Sequence, residues 1–428
     1  MGYPVSTPNL MKLAEGGVTM RQCFCANPTC SPSRAGLITG RYPHTNGMIG
    51  LVNRGFCLGE PERALPNILR DQGGYRTAIC GTQHVVPKDR ISELGYDEPI
   101  AGDPDPERED DGFASIARGA AGWLRNAPEK QPFFLSVGFG KPHWYPGPVK
   151  DARRMSPLPG MPDTPKTREH SARLHAGIEA LDRAMGMVLD ALDEAGLAEN
   201  TLVVATTDHG LSLPHHKCNL TDGGLGVFSI WRGPGGFTGG RITDAMVSQI
   251  DFYPTLCEVA GITPPEGLQG VSLMPLATDE QGTVRETIFG EVNYHAAYEP
   301  MRCVRTGRWK YIRRFDHRTR RVLPNCDAIP SKQVLLDHGW ADEPIQEEAM
   351  YDLIFDPQER VNLLDESGKP RREDVHAEPL AMLRGRLAAW MDETEDPIRS
   401  GSIEAPIGGQ SSFFDTVENK GFLWQRVK

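Results

Sequence analysis

Strand-like and helix-like segments alternate along most of this 428-residue chain, and that alternation constrains the fold more than any other feature. It calls for a sheet covered by helices, because each amphipathic helix must bury its apolar stripe against a strand layer. Thr7-Pro8 opens a helix that runs through Glu15 and stops at Gly16-Gly17, with proline in the first turn, where its missing N–H costs little. A short helix over Leu65–Asp71 is released by Gly73-Gly74 into a strand over Tyr75–Cys80. A helix over Phe113–Asn126 leads to an apolar strand over Phe133–Phe139. The longest helix is expected over Thr167–Glu194, where Leu174, Ile178, Leu181, Met185, Val188 and Leu192 recur at three- and four-residue intervals as one stripe. Beyond it, Thr201–Thr207 reads as a buried strand that ends at Asp208-His209-Gly210, and ligands bind at this edge of open α/β sheets. Phe228–Trp231 and Thr287–Val292 read as further strands, and Ile250–Val259 as a helix that tolerates Pro254.

The pattern changes near residue 300. Met301–Arg305 and Trp309–Arg314 flank Gly307 as a hairpin, Met350–Phe355 ends in the Asp356-Pro357 turn, and Leu380–Thr394 reads as an amphipathic helix. The expected division is therefore an α/β unit over 1–298 and a smaller α+β unit over 299–428. The acidic, proline-rich stretch 97–111 reads as a solvated loop.

Charge and composition exclude several classes. A net charge of −11 argues against binding nucleic acid through bulk electrostatics, although a site can be locally basic inside an acidic protein. No apolar run approaches the length of a bilayer-spanning helix, so no membrane partner is expected. The nine cysteines form no CxxC pair or framework spacing, which predicts neither a disulfide scaffold nor a zinc cluster. MGYPVSTPNLMKLAEGG contains no stretch of signal-peptide type, so the chain as given reads as cytoplasmic, with export open if a further segment precedes it.

The most informative segment is Cys30-Ser31-Pro32-Ser33-Arg34-Ala35-Gly36-Leu37-Ile38-Thr39-Gly40-Arg41. A cysteine here enters a proline-containing turn into a helix, where free N–H groups and the nearby Arg34 favour an anion or thiolate. An isolated cysteine of this kind is more often simply buried near a cap. The whole string, however, resembles the signature of the sulfatase family, in which Cys-x-Pro-Ser-Arg precedes Leu-x-Thr-Gly.

That resemblance implies an alkaline-phosphatase-like α/β/α sandwich with a smaller C-terminal α+β domain. It implies that Cys30 is oxidised by a formylglycine-generating maturation enzyme, and that the hydrated aldehyde attacks sulfur and later expels sulfate. Asp208 and His209 match the family's Asp-Asn/His-Gly element and, with residue 30, would ligate a divalent metal, taken as Ca2+. His84, in Cys80-Gly81-Thr82-Gln83-His84, matches the histidine that hydrogen-bonds the diol. His143 matches the Pro-His that contacts sulfate, Lys217 the cation that binds sulfate and assists the leaving group, and Arg34 the signature arginine. Each histidine alone would be the better fit to a structural role; their placement after different strands is what joins them. Val247–Leu256 and Tyr351-Asp352-Leu353 are also typical of the family. The likeness is greatest to the heparan N-sulfatase branch, which adds Glu291, His295 and Arg302 as substrate-side residues.

Two departures stand out. Family members place a strand ending in Asp-Asp before Thr-Pro-Asn-Leu, and here Thr7-Pro8-Asn9-Leu10 stands almost at the start. The expectation is a shortened catalytic unit that binds metal weakly. The family lysine two positions before the histidine is Thr82, which leaves Lys141 or Lys217 to supply the charge. The leading expectation is hydrolysis of a sulfate ester or sulfamate of a sugar. The alternatives are a phosphodiesterase or phosphonate hydrolase of the same superfamily, or an impaired protein that binds sulfated glycans. A homo-oligomeric state is left open.

Overall fold

Strands set the first level of order. In the computed structural model, which describes residues 5–104, 112–127, 131–140, 143, 149, 151–279 and 281–406, they run as β1 (Val18–Phe24), β2 (Arg76–Gly81), β3 (Glu98–Ile100), β4 (Phe133–Gly138), β5 (Val203–Thr206) and β6 (Gly226–Arg232). They continue as β7 (Arg241–Ser248), β8 (Ile288–Tyr294), β9 (Tyr298–Arg305), β10 (Trp309–Arg314) and β11 (Glu348–Asp352). The longer helices are α1 (Pro8–Gly16), α2 (Cys30–Thr39), α3 (Leu65–Gly73), α4 (Phe113–Arg125), α5 (Pro165–Glu194), α6 (Phe252–Val259) and α7 (Glu373–Glu393). Hydrogen bonding sorts the strands into the orders β5-β6-β1-β7, β3-β2-β4 and β11-β10-β9-β8. β2 is parallel to β3 and β4, β1 is parallel to β7, and β6 is antiparallel to both β1 and β5.

Side-chain alternation along β4 displays the sandwich. Phe133 and Leu135 pack with Trp123 and Leu124 of α4 and with Ala191 and Leu192 of α5. Phe134, on the opposite face, packs with Leu65 and Leu69 of α3 and with Tyr253 and Cys257 of α6. α1 joins the first layer through Leu13, beside Ala205 and Ile230, and α2 joins the second through Ala35, beside Ile79. The sheet is interrupted between β4 and β5. Each ends its own strand group, and both are half-buried along most of their length. The strand expected as buried over Thr201–Thr207 is therefore shorter and more open than its apolar sequence predicts.

α5 starts at Pro165, where the Thr164 hydroxyl accepts the Thr167 N–H at 3.2 Å and the Thr167 hydroxyl accepts the Thr164 N–H at 3.0 Å. Its deepest residues are small. Ala180 and Ala184 meet Phe113 and Ala117 of α4, and Gly186 lies so close to Asn9 that a Cβ would sit 2.5 Å from Oδ1. Most of the expected stripe is half-buried instead, because the helix is wedged between α1 and α4 rather than laid on one face. Asp182 caps the neighbouring helix: its carboxylate accepts the Asn9 and Leu10 N–H groups at 3.2 and 2.9 Å. β1 and β7 were not legible as strands, since Thr19, Arg21, Thr243 and Asp244 interrupt their apolar pattern; Arg21 and Asp244 pair across the two strands at 2.7 Å.

The expected boundary at residue 299 meets paired strands. β8 hydrogen-bonds to β9, so a division at 298/299 would cut a hairpin. α7 also begins before the expected Leu380, carrying Pro379 inside it. Its Leu380, Leu383, Leu387 and Trp390 pack on Val304, Tyr311 and Met350, and the same cluster takes in Ala26, Tyr42 and Ile250. The other face of this sheet, through Met301, Cys303 and Ile312, shares a core with β1 and β6. Stretch 97–111 is not wholly a loop, since Glu98–Ile100 forms β3; residues 105–111 lie outside the described ones. All nine cysteines are free thiols. No helix among the described residues is long and apolar enough to cross a membrane.

Buried histidines make stability pH-dependent. Burial pushes His170, whose Nδ1 lies 2.7 Å from the Ser331 hydroxyl, down to about 4. Burial, with Arg321 nearby, pushes His215 down to about 3. Between these values and the ordinary 6.5 the unfolded chain binds more protons, so this stability is full above pH 6.5 and is lost as pH falls toward 4. Thermal unfolding should show a loss of up to about 1.4 kcal/mol per pH unit per histidine across that window, and His170→Gln should flatten it.

Candidate active site

α2 begins at Cys30 itself, with Thr29 extended before it (φ −135°, ψ 148°). Residue 30 thus sits against the free N–H groups of the first turn, whose partial positive charge favours an anion. Cys30 Sγ lies 3.4 Å from His209 Nε2. Burial alone would raise the thiol. The Lys217 ammonium and His209, with hydrogen bonds from His209 and His84, instead pull it well below the usual thiol range.

The loop after β5 supplies Asp208 and His209. Asp208 accepts the Arg34 Nε–H at 3.1 Å and the His209 backbone N–H at 3.1 Å. Burial would raise its carboxyl, but the charges of His209, Arg34 and Lys217 hold it far below the carboxylate range. His209 Nδ1 lies 2.8 Å from the Gly210 carbonyl and donates to it, which aims Nε2 at Cys30. Burial lowers this imidazole, while the charges of Asp208 and Cys30 outweigh it and raise the group. Gly210 is required by packing, because a Cβ there would fall 1.9 Å from the Gly223 carbonyl oxygen. A brace joins this loop to α2. The Ser33 hydroxyl donates to the Asp208 carbonyl and to Gln249 Oε1 (3.1 Å), and the Gln249 amide donates to the Thr207 carbonyl at 2.6 Å.

Lys217 arrives on a strained loop. His215 (φ 66°) and Cys218 (φ 63°) bracket it in the left-handed region, at a cost on the order of 1 kcal/mol or more each. The Cys218 N–H bonds to the Pro28 carbonyl at 2.9 Å, which ties the loop to the segment before Cys30. Lys217 Nζ lies 3.0 Å from His143 Nε2 and 2.8 Å from Asp327 Oδ2. Burial would lower this ammonium, but Cys30 and Asp327 hold it above its ordinary value. His84 (φ 57°) is a third left-handed residue, just after β2, where Gln83 Oε1 accepts the Val86 N–H at 2.9 Å.

The structure therefore brings Cys30, Arg34, His84, His143, Asp208, His209 and Lys217 together from α2 and from segments after β2, β4 and β5. His295 lies within their electrostatic reach. Burial and the Lys217 charge hold it well below its ordinary range, and its Nδ1 has no partner. Glu291 and Arg302 are placed differently from the expectation. Both are fully buried: Glu291 bonds the His44 ring and backbone, and Arg302 bonds Asp396, so neither presents an edge to a sugar. Thr82 contributes its carbonyl, 3.4 Å from Arg34 Nη1, and Lys141 lies outside the described residues. Asp327 was missed. The loop Cys326-Asp327-Ala328 carries no motif, and only the fold brings it to Lys217.

Cys30, Asp208 and His209 each offer a donor atom within 4.8 Å of the others. A carboxylate and an imidazole suit a divalent cation, and residue 30 adds an oxygen once oxidised. Among the described residues these three fit one flank of an ion, short of the six or more oxygens that calcium takes.

Comparison with known proteins agrees with this geometry. The sulfatase family profile matches residues 1–262, and the profile for the N-sulphoglucosamine sulphohydrolase C-terminal region matches residues 220–332. Human N-sulphoglucosamine sulphohydrolase is 28% identical over 92% of this chain and 86% of its own length. A putative sulfatase structure from Bacteroides thetaiotaomicron superposes with a TM-score of 0.72 at 21% identity, covering 97% of this chain and 94% of that one. A structure solved with its substrate D-glucosamine-2-N,6-O-disulfate superposes with a TM-score of 0.71 at 19% identity, covering 92% of this chain and 94% of that one. With a signature cysteine at a helix start, an Asp-His pair against it and a family profile spanning more than half its length, the chain belongs to the sulfatase family.

Proposed function

We propose that this protein releases inorganic sulfate from a sulfated amino sugar, cleaving a sulfate ester or a sulfamate. The observation that carries the reading is the convergence of His209, whose Nε2 lies 3.4 Å from Sγ, and of Lys217 and His84 on the half-buried Cys30. Formylglycine at position 30 supplies a hydrated aldehyde as oxygen nucleophile, and a divalent ion held by Asp208 and His209, Ca2+ in this reading, supplies positive charge beside it. The chain's own groups do the rest. The N-terminus of α2 favours negative charge on the attacking side, and the Lys217 ammonium neutralises the charge that accumulates on the leaving oxygen or nitrogen. His84 lies close enough to residue 30 to act on it electrostatically and is placed to accept a proton from it. Arg34 holds Asp208 in position. A formylglycine-generating enzyme is the partner this reading requires.

The test is sulfate release by protein produced with a maturation enzyme, from glucosamine N-sulfate, N-acetylglucosamine 6-sulfate and a hexuronate 2-sulfate. At least one amino-sugar sulfate should turn over much faster than a phosphate diester or a phosphonate monoester. Faster turnover of the phosphorus esters would overturn the reading.

A further inference from the structure

The Asp327 carboxylate is used unequally. Oδ2 accepts from Lys217 Nζ at 2.8 Å and from the Ser212 hydroxyl, and lies 3.2 Å from His143 Nε2. Oδ1 has no protein partner among the described residues, and the side chain is 13% exposed. Three groups on one oxygen fix the plane of the carboxylate and leave the other oxygen as an oriented acceptor. Burial would raise this carboxyl, but the hydrogen bond to His143 and the Lys217 charge hold it well below its usual range, so the acceptor is ionised at neutral pH.

A negative charge here works against anion binding. It neutralises Lys217, much as Asp208 neutralises Arg34, and it repels sulfate. A substrate recovers that loss only by bringing a donor to the carboxylate. We propose that Asp327 sets substrate choice, its Oδ1 accepting a hydrogen bond from a hydroxyl or N–H beside the sulfated position, while its charge penalises sulfates that lack such a donor. The proposal rests on the reading of the site as a sulfated-sugar hydrolase. It places the discriminating group on the loop before Pro330, outside the segments that carry Cys30, Asp208, His84 and His143.

Calorimetric binding to the purified full chain, produced without the maturation enzyme so that residue 30 stays a thiol and nothing turns over, tests this with glucosamine N-sulfate and methyl sulfate as probes. Asp327→Asn keeps an oxygen for Lys217, removes the charge and puts a donor where Oδ1 stood. Glucosamine N-sulfate should bind about 10- to 100-fold more weakly, and methyl sulfate severalfold more tightly. Asp327→Ser, a second variant in case the first folds poorly, should split the probes in the same directions, with thermal unfolding as the check on folding. Weaker binding of both probes means that Asp327 only holds Lys217 in place, and tighter binding of both means that it is only a counter-ion. Either result, or no change, overturns the proposal. If the wild-type chain binds neither probe, the hydrolase reading falls and takes this one with it. If the wild type binds the sugar and the variants bind it equally well, only this proposal falls.

Discussion

Cys30→Ala is expected to lower sulfate release about 10³-fold or more, leaving at most what the surrounding charges achieve without a nucleophile. The position explains the size of the effect. Residue 30 is the group toward which His209, His84 and Lys217 converge, and it starts the helix whose N–H groups face the anion. Alanine is compatible with the first helical position, so the unfolding temperature should move far less than the rate. Mass analysis of the peptide containing residue 30, from a host with the maturation enzyme, should show the aldehyde. A plain thiol in fully active protein would refute the assignment, as would a Cys30→Ala variant that retains its rate.

The second large effect is on stability. Arg302→Ala should destabilise the fold by roughly 3–5 kcal/mol, because it leaves the buried Asp396 carboxylate without its cation and Glu291 with His44 alone. Arg302 is fully buried, donates to Asp396 at 2.5 and 2.9 Å and lies 3.6 Å from Glu291, which in turn holds His44. Burial would raise the Asp396 carboxyl, and the Arg302 hydrogen bonds and charge keep it low instead. Urea unfolding measures the loss. The double variant Arg302→Ala with Asp396→Ala should be less destabilised than the two single losses added together, since each partner's penalty is mainly the charge left behind. Additive losses would show that the pair does not act as a unit.

Much of this was legible in the chain. The strings around Cys30 and Asp208 pointed to one site because their chemistry needs fixed spacings, and both spacings survive in the fold. Helices such as α4 and α5 were readable because apolar periodicity is local. What stayed hidden was decided by tertiary context. β1 and β7 carry polar residues that pair with each other, so their alternation is broken. Glu291 and Arg302 look like pocket residues in sequence, yet β8 and β9 turn them into the interior, where His44 and Asp396 receive them. Asp327 belongs to no pattern. Its importance comes from Lys217, more than a hundred residues earlier.

The interruption between β4 and β5 has a practical consequence. Among the described residues each strand ends its hydrogen-bonded group with one side unpaired, and neither Phe133–Gly138 nor Val203–Thr206 contains a charged residue or a proline to discourage addition of another strand. Such bare borders act as templates for foreign extended chain, and FFLSVG has the composition of a self-associating segment. Concentrated or gently warmed preparations of these 428 residues should clump well before their helices melt.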